Sequence, residues 1–331
     1  MADDEVATRA PESDAQPTAA EGAEQSLFPG DTRAQAGASM GEHCTTDRPT
    51  PSGEVPTGEI SKLGGVDVYI SKPADYPHSP SKLLLLLTGG TGVKSANNQL
   101  QADKYASEGF LVVMPDQFGG DPAPNSVDQS AHDKHPSVIE QIKLRVGETA
   151  KSFLIDMWLA RHTPEKVLPI LHKVIEGAKE EFADAVANGG GIYGVGYCFG
   201  AKYIVILAGE HPDTVAWGQA APGDEEQGVV KNAPVIKAGA IAHAGTMVAQ
   251  EEIEAVKVPL YMACVKDDPL FPEDVLEEGR KGLEKNSIEH EIQVFSGVPH
   301  GFAVLGDYED PNIKKSQTQA FGQMLGWIQG H

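Results

Sequence analysis

Five consecutive leucines, Leu83–Leu87, run up to a Thr88-Gly89-Gly90 turn. A run this short cannot cross a bilayer, which needs about 20 apolar residues. It fits a strand buried on both faces, and such a strand requires helices packed above and below it. Similar runs recur at Leu111–Met114, Ile192–Gly196, Ala238–Ala242, Leu260–Val265 and Glu291–Phe295, and Gly65–Ile70 alternates like a strand. Between them lie stretches of helical pattern: 98–108, a long pair across 148–187, 199–210, 272–286 and 313–329. The alternation predicts an α/β chain with a mostly parallel central sheet and helices on both faces. In such sheets ligands sit at the carboxyl ends of strands, so the loops after Leu87, Gly196, Val265 and Phe295 are the places to look for chemistry.

The rest of the chain narrows the setting. Residues 1–41 are Ala, Asp, Glu, Gln, Gly, Pro and Ser with almost no large apolar side chains, which predicts a disordered acidic tail. A single domain is expected over 42–331, entered through the extended, Pro-rich stretch at 45–58. The formal charge of −22 speaks against nucleic acid or an anionic membrane as partner. Three cysteines, Cys44, Cys198 and Cys264, cannot build a disulfide framework, and no CxxC spacing suggests a metal. With no basic and apolar leader pattern at Met1, the expected compartment is the cytoplasm.

The most informative motif is Tyr193-Gly194-Val195-Gly196-Tyr197-Cys198-Phe199-Gly200. Its glycines give G-x-G-x-x-x-G, one residue longer than the dinucleotide fingerprint, and they stand in the middle of the chain rather than in its first βα unit. A phosphate loop fails as well, because Val93 occupies the position before Lys94-Ser95 where that motif needs glycine. A nucleophile elbow fits better. Small residues two before and two after the nucleophile let neighbouring backbone approach a strained strand-to-helix turn, and Gly196 and Gly200 flank Cys198 in this way. At a helix N-terminus the dipole favours thiolate over thiol. The alternative for Cys198 is a buried structural thiol.

Two later segments of the chain favour the elbow. Lys266-Asp267-Asp268-Pro269 lies after one strand and Ser296-Gly297-Val298-Pro299-His300-Gly301 after the last. An elbow fold carries nucleophile, acid and histidine in that order, so Cys198, Asp268 and His300 are expected as nucleophile, orienter and base. The Phe199 N–H is expected as oxyanion donor, with Gly90 as the second. His243, at the end of Ala238–Ala242, lines the pocket or serves as a hydrogen-bonded structural histidine. Tyr197 is assigned to the pocket wall, and Cys44 and Cys264 are read as structural or incidental thiols.

These segments resemble the dienelactone hydrolase family of α/β-hydrolases, whose members use Cys-Asp-His. The resemblance rests on Gly194–Gly200, Asp268-Pro269-Leu270-Phe271-Pro272 and Val298-Pro299-His300-Gly301-Phe302. Pro56-Thr57-Gly58-Glu59 with Gly64–Tyr69, and Leu111–Phe118, are similar to the fungal branch. It implies an α/β-hydrolase fold over about residues 44–331. It also implies a Cys-Asp-His hydrolase of small esters, lactones or thioesters working through a thioester acyl-enzyme, without cofactor or metal, as a monomer or homodimer. Thr91, Phe118 and Phe302 join Tyr197 and His243 as substrate-binding positions. Bacterial members place a Glu in the first loop and two arginines around the substrate carboxylate. This sequence has Thr88-Gly89-Gly90-Thr91, Gly119-Gly120 and Ala303-Val304 there, so an uncharged substrate is expected in place of the anionic dienelactone. The other readings are a non-catalytic binding protein of this fold and a redox-sensing thiol protein.

Overall fold

The structure, a computed structural model, describes residues 47–51, 53–123, 154–212, 231–245 and 248–331; the acidic tail expected over 1–41 lies outside them. The leucine run divides by parity. Leu83, Leu85 and Leu87 enter one apolar layer, Leu84 and Leu86 the other, and all five are buried. Successive side chains of a strand face opposite sides, so both faces of this strand are covered.

The strands in chain order are β1 (Glu59–Leu63), β2 (Val66–Ser71), β3 (Lys82–Leu87), β4 (Phe110–Pro115), β5 (Ile192–Tyr197), β6 (His211–Pro212), β7 (Lys231–Asn232), β8 (Ala238–Ala242), β9 (Leu260–Val265) and β10 (His290–Phe295). Eight of them form one sheet in the order β1-β2-β4-β3-β5-β8-β9-β10, while β6 and β7 pair separately. Pairing is antiparallel in β1–β2 and β2–β4 and parallel from β4 through to β10.

Helices α1 (Ala96–Ser107) and α7 (Pro311–Gly330) supply Tyr105, Phe321, Met324 and Ile328 to the layer that holds Leu84 and Leu86. The opposite layer is covered by α2 (Pro164–Glu181), α3 (Ala183–Gly189), α4 (Phe199–Leu207), α5 (Gln250–Glu254) and α6 (Glu273–Lys285), with a helical stretch at 154–161 before them. Each fully buried Leu, Ile or Val in these layers contributes roughly 1.5–3 kcal/mol by leaving water. The α/β class and the mostly parallel sheet hold as expected, with strand ends shifted by a residue or so. The expected helical pattern at 148–153 falls outside the described residues. Among the described residues, no helix is long and apolar enough to cross a membrane.

Beside the two-residue strands β6 and β7, two elements carried no usable sequence signal. In β1 only Leu63 is buried, so the strand shows no alternation of apolar and polar residues. Helix α5 is five residues long and buries only Ile253. Because β3, β5, β8, β9 and β10 all run the same way, their carboxyl ends share one edge of the sheet.

Candidate active site

Cys198 is the residue between β5 and α4, with φ 50° and ψ −111°. Only a tightly held turn keeps a non-glycine residue in that region. The Cys198 N–H donates to the Ala242 carbonyl at 3.1 Å, and the Gly200 N–H donates to the Thr88 carbonyl at 2.9 Å, so β8 and β3 both grip the turn. The glycines are there for approach. A Cβ on Gly196 would come within 2.7 Å of the Gly200 carbonyl oxygen, and one on Gly200 would collide with the Leu87 carbonyl. Gly200→Ala is therefore expected to lower stability by roughly 1–3 kcal/mol through overpacking, measurable as a reduced midpoint in urea. Beneath the turn, Phe199 packs against Phe118 and Trp158 at ring separations of 5.0 and 5.1 Å, which fixes the first turn of α4.

Asp268 and His300 meet across the ends of β9 and β10. His300 Nδ1 donates to Asp268 Oδ2 at 2.7 Å, and the other carboxylate oxygen accepts the Leu270 N–H at 2.9 Å. Both side chains are buried, and the residue before the acid, Asp267, is left-handed with φ 56°. The histidine loop turns at Gly297 (φ 70°) and Gly301 (φ 87°). It is tied down by side chains of two helices: Gln101 Oε1 accepts the Leu305 N–H, while Gln317 and Asn312 donate to the Val304 and Gly297 carbonyls. Burial disfavours a charged His300 ring. The charge of the Cys198 sulfur and the hydrogen bond that the ring donates to Asp268 outweigh it, and the pKa rises to about 9. Cys264 behaves differently: buried in β9, first by desolvation and then by the charge of Asp268, its thiol is pushed up to about 12. It is an inert thiol at ordinary pH.

A cavity of about 20 Å³ opens onto Cys198. Its wall includes Gly89, Thr91, Asn97, Asn98, His243, Gly301 and Tyr308, and also Asp47 and Arg48 from the stretch before β1. That stretch is pinned on both sides of the pocket: Asn97 Nδ2 donates to the Arg48 carbonyl at 2.8 Å and the Asp307 N–H to the Pro49 carbonyl at 2.8 Å. The Arg48 guanidinium stacks over the Tyr308 ring at 4.6 Å, and Asp47 accepts a hydrogen bond from the Ser95 hydroxyl at 2.6 Å. Burial raises the Asp47 carboxyl above its usual range, against the Ser95 and Thr91 hydrogen bonds.

The structure thus brings Cys198, Asp268, His300, His243 and Thr91 to one edge of the sheet. Gly89, one position before the expected donor Gly90, is the loop residue against the Cys198 side chain; a Cβ on it would sit 3.5 Å from Cys198 Cβ. The Gly90 carbonyl accepts the Ala123 N–H at 2.8 Å. The Tyr197 ring is fully buried in the α1–α7 layer, its hydroxyl 3.0 Å from that of Tyr105. Phe118 belongs to the aromatic cluster under α4, and Phe302 is buried 6.1 Å from His243. Sequence reasoning did not find Asp47, Arg48, Asn97 or Tyr308. The Ser95 cap of α1, which accepts the Asn98 N–H, was a readable hint that the amides after it open a helix beside the β3 loop. Among the described residues, no group of three or more His, Cys, Asp or Glu is arranged to hold a metal.

A nucleophile-type elbow on a mostly parallel sheet, with an acid and a histidine on later strand ends, defines the α/β-hydrolase class. The sequence signature of the Dienelactone hydrolase family matches residues 66–331, and the chain belongs to that family. It is 32% identical over 271 residues to Hydrolase pyvD of Aspergillus violaceofuscus, covering 82% of this chain and 89% of that one. Dienlactone hydrolase 1 of Gibberella moniliformis is 26% identical, with 82% and 87% covered. Among solved structures, the thermophilic esterase Est2 of the planctomycete Thermogutta terrifontis superposes with a TM-score of 0.52 at 15% identity, over 82% of this chain and 93% of that one. The protein is a hydrolase acting on ester bonds.

Proposed function

We propose that the chain hydrolyses small uncharged esters, lactones or thioesters through a thioester on Cys198. The observation that carries this reading is the buried 2.7 Å pair of His300 and Asp268 on the same strand edge as the elbow cysteine. His300 holds the sulfur as a thiolate–imidazolium pair. The sulfur attacks the carbonyl carbon, and the developing oxyanion is met by the Phe199 and Gly90 N–H groups. In the first turn of α4 the Gly200 and Ala201 N–H groups are already engaged by the Thr88 and Cys198 carbonyls. His300 gives its proton to the leaving alkoxide or thiolate, and acylated Cys198 remains. Water then attacks the thioester, its proton passes to His300, and the C–S bond breaks to return the thiolate.

Acylation prepares its own second step. The charge on the sulfur is one of the causes that raise the His300 pKa. Once the sulfur is a neutral thioester that contribution disappears, and the ring falls toward the range of a general base. A free thiol nucleophile keeps its reactivity in a reducing compartment such as the cytoplasm, which is where we place the activity.

The uncharged substrate class is supported by the wall of the pocket. Asp47 and Arg48 stand side by side there, and apart from Cys198 and His243 the remaining polar lining consists of the amides and hydroxyls of Asn97, Asn98, Thr91 and Tyr308. Activity profiling of the full chain tests this against matched neutral and anionic esters, such as 4-nitrophenyl acetate and a 4-nitrophenyl hemisuccinate, with simple lactones alongside. The expected kcat/KM favours neutral substrates by about tenfold or more, corresponding to 1.4 kcal/mol or more of differential transition-state binding. A preference for the anion would reject the substrate class, and no turnover of any ester would reject the reaction.

A further inference from the structure

His243 is the first residue after β8, and the end of that strand is joined to the nucleophile: the Ala242 carbonyl accepts the Cys198 N–H, and the His243 N–H donates to the Ala263 carbonyl at 2.8 Å. Its backbone is left-handed, φ 37°. Cys198 and Asp267 share that property on the two adjacent strands. Three neighbouring strand ends therefore each hold a constrained non-glycine residue at the same edge, and two of them carry or adjoin triad positions. Such conformations persist where surrounding structure enforces them and cluster at active sites.

The ring itself is unusual for a buried histidine. It is 1% exposed, and its one hydrogen-bonding neighbour among the described residues is the Cys198 sulfur, which leaves at least one ring nitrogen without a hydrogen-bond partner. A structural histidine in a core has its nitrogens satisfied. Tyr197, His300 and Phe302 hold the ring at centroid distances of 5.9, 5.1 and 6.1 Å. It faces the same cavity as Cys198, and a cavity of about 20 Å³ admits one water. Burial keeps this imidazole below the usual histidine range, partly offset by the nearby sulfur. It is neutral near pH 7, with one nitrogen able to accept a hydrogen bond and the other to donate.

We propose that His243 is a second catalytic histidine, which binds and aims the water that hydrolyses the Cys198 thioester. The inference rests on the reading of Cys198 as nucleophile. The water hydrogen-bonds to a His243 nitrogen and to His300 Nε2, whose ring is near enough for one water to span the two. Its oxygen attacks the thioester carbonyl, its proton goes to His300, and the sulfur leaves as thiolate. His243 neither gains nor loses a proton; it fixes the approach of the nucleophile.

Rapid-quench kinetics of the full chain with 4-nitrophenyl acetate, read together with the intact mass of the protein, separate the two half-reactions. His243→Phe is expected to acylate at close to the parent rate but to turn over roughly 10²-fold more slowly, accumulating acetyl-Cys198. His243→Asn, which tolerates left-handed backbone and keeps polar atoms, is expected to recover part of the loss. Hydroxylamine, which attacks thioesters without needing an aimed water, is expected to restore turnover in both. The proposal is overturned if neither variant accumulates acyl-enzyme although the parent acylates Cys198. It is equally overturned if acylation and turnover fall together in the folded Asn variant, or if hydroxylamine rescues neither. Absence of acetyl-Cys198 from the parent and from every variant instead removes the nucleophile reading on which this one stands.

Discussion

Replacing Cys198 with alanine is expected to reduce ester hydrolysis by roughly 10⁴–10⁶-fold, the range lost when a nucleophile is removed from a triad. The remaining activity would come from the Phe199 and Gly90 N–H groups and from binding alone. The fold should survive. Cys198 is buried, yet the groups that shape its turn are backbone: the Cys198 N–H to Ala242 and the Gly200 N–H to Thr88. Loss of one sulfur atom leaves these bonds in place, and Tm is expected to move by no more than about 4 °C. Steady-state rates alongside a thermal melt check both halves. A folded Cys198→Ala protein that hydrolyses esters at the parent rate would falsify the mechanism.

Asp268→Asn is expected to be nearly as damaging, lowering kcat by roughly 10⁴-fold. The carboxylate performs two tasks that the amide cannot share out in the same way. Oδ1 accepts the Leu270 N–H, and Oδ2 accepts the His300 Nδ1–H, which sets the tautomer that faces the sulfur. Its loss also has a pH signature. The hydrogen bond and charge of Asp268 are among the causes that hold His300 at about 9. Without them the imidazolium deprotonates at lower pH, the thiolate loses its cationic partner, and the Cys198 pKa rises. Alkylation of Cys198 by iodoacetamide, followed across pH, should therefore shift to higher pH in Asp268→Asn. A shift in the opposite direction would mean that the sulfur does not depend on the imidazolium.

The sheet is legible in the sequence because its inner strands are apolar on both faces. Leu83–Leu87, Ala238–Ala242 and Leu260–Val265 have no polar side to hide, and their ends can be read almost to the residue. The edge strand β1 exposes Glu59, Ile60 and Lys62, so nothing in its composition separates it from a loop. That Cys198, Asp268 and His300 share one edge of the sheet is legible because each terminates or follows a different strand, and strand order constrains where such residues can meet. The outer wall cannot be found in that way. Arg48 reaches the pocket because its carbonyl accepts from Asn97 and the next carbonyl, that of Pro49, accepts from the Asp307 N–H more than 250 positions away, and no local pattern encodes such contacts. For His243 the sequence leaves two roles open, lining and structural. Deciding between them needs the hydrogen-bond inventory of its ring, which exists only in three dimensions.

The family signature begins at Val66, whereas Asp47 and Arg48 lie upstream of it. One side of the pocket is therefore supplied by a strap that the central sheet does not require for its own pairing. A wall of this kind can diverge independently of the catalytic strands, because changing its side chains alters neither the elbow backbone nor the histidine loop. Exchanging residues 47–51 between relatives offers a route to new acyl-group selectivity on an unaltered reaction centre.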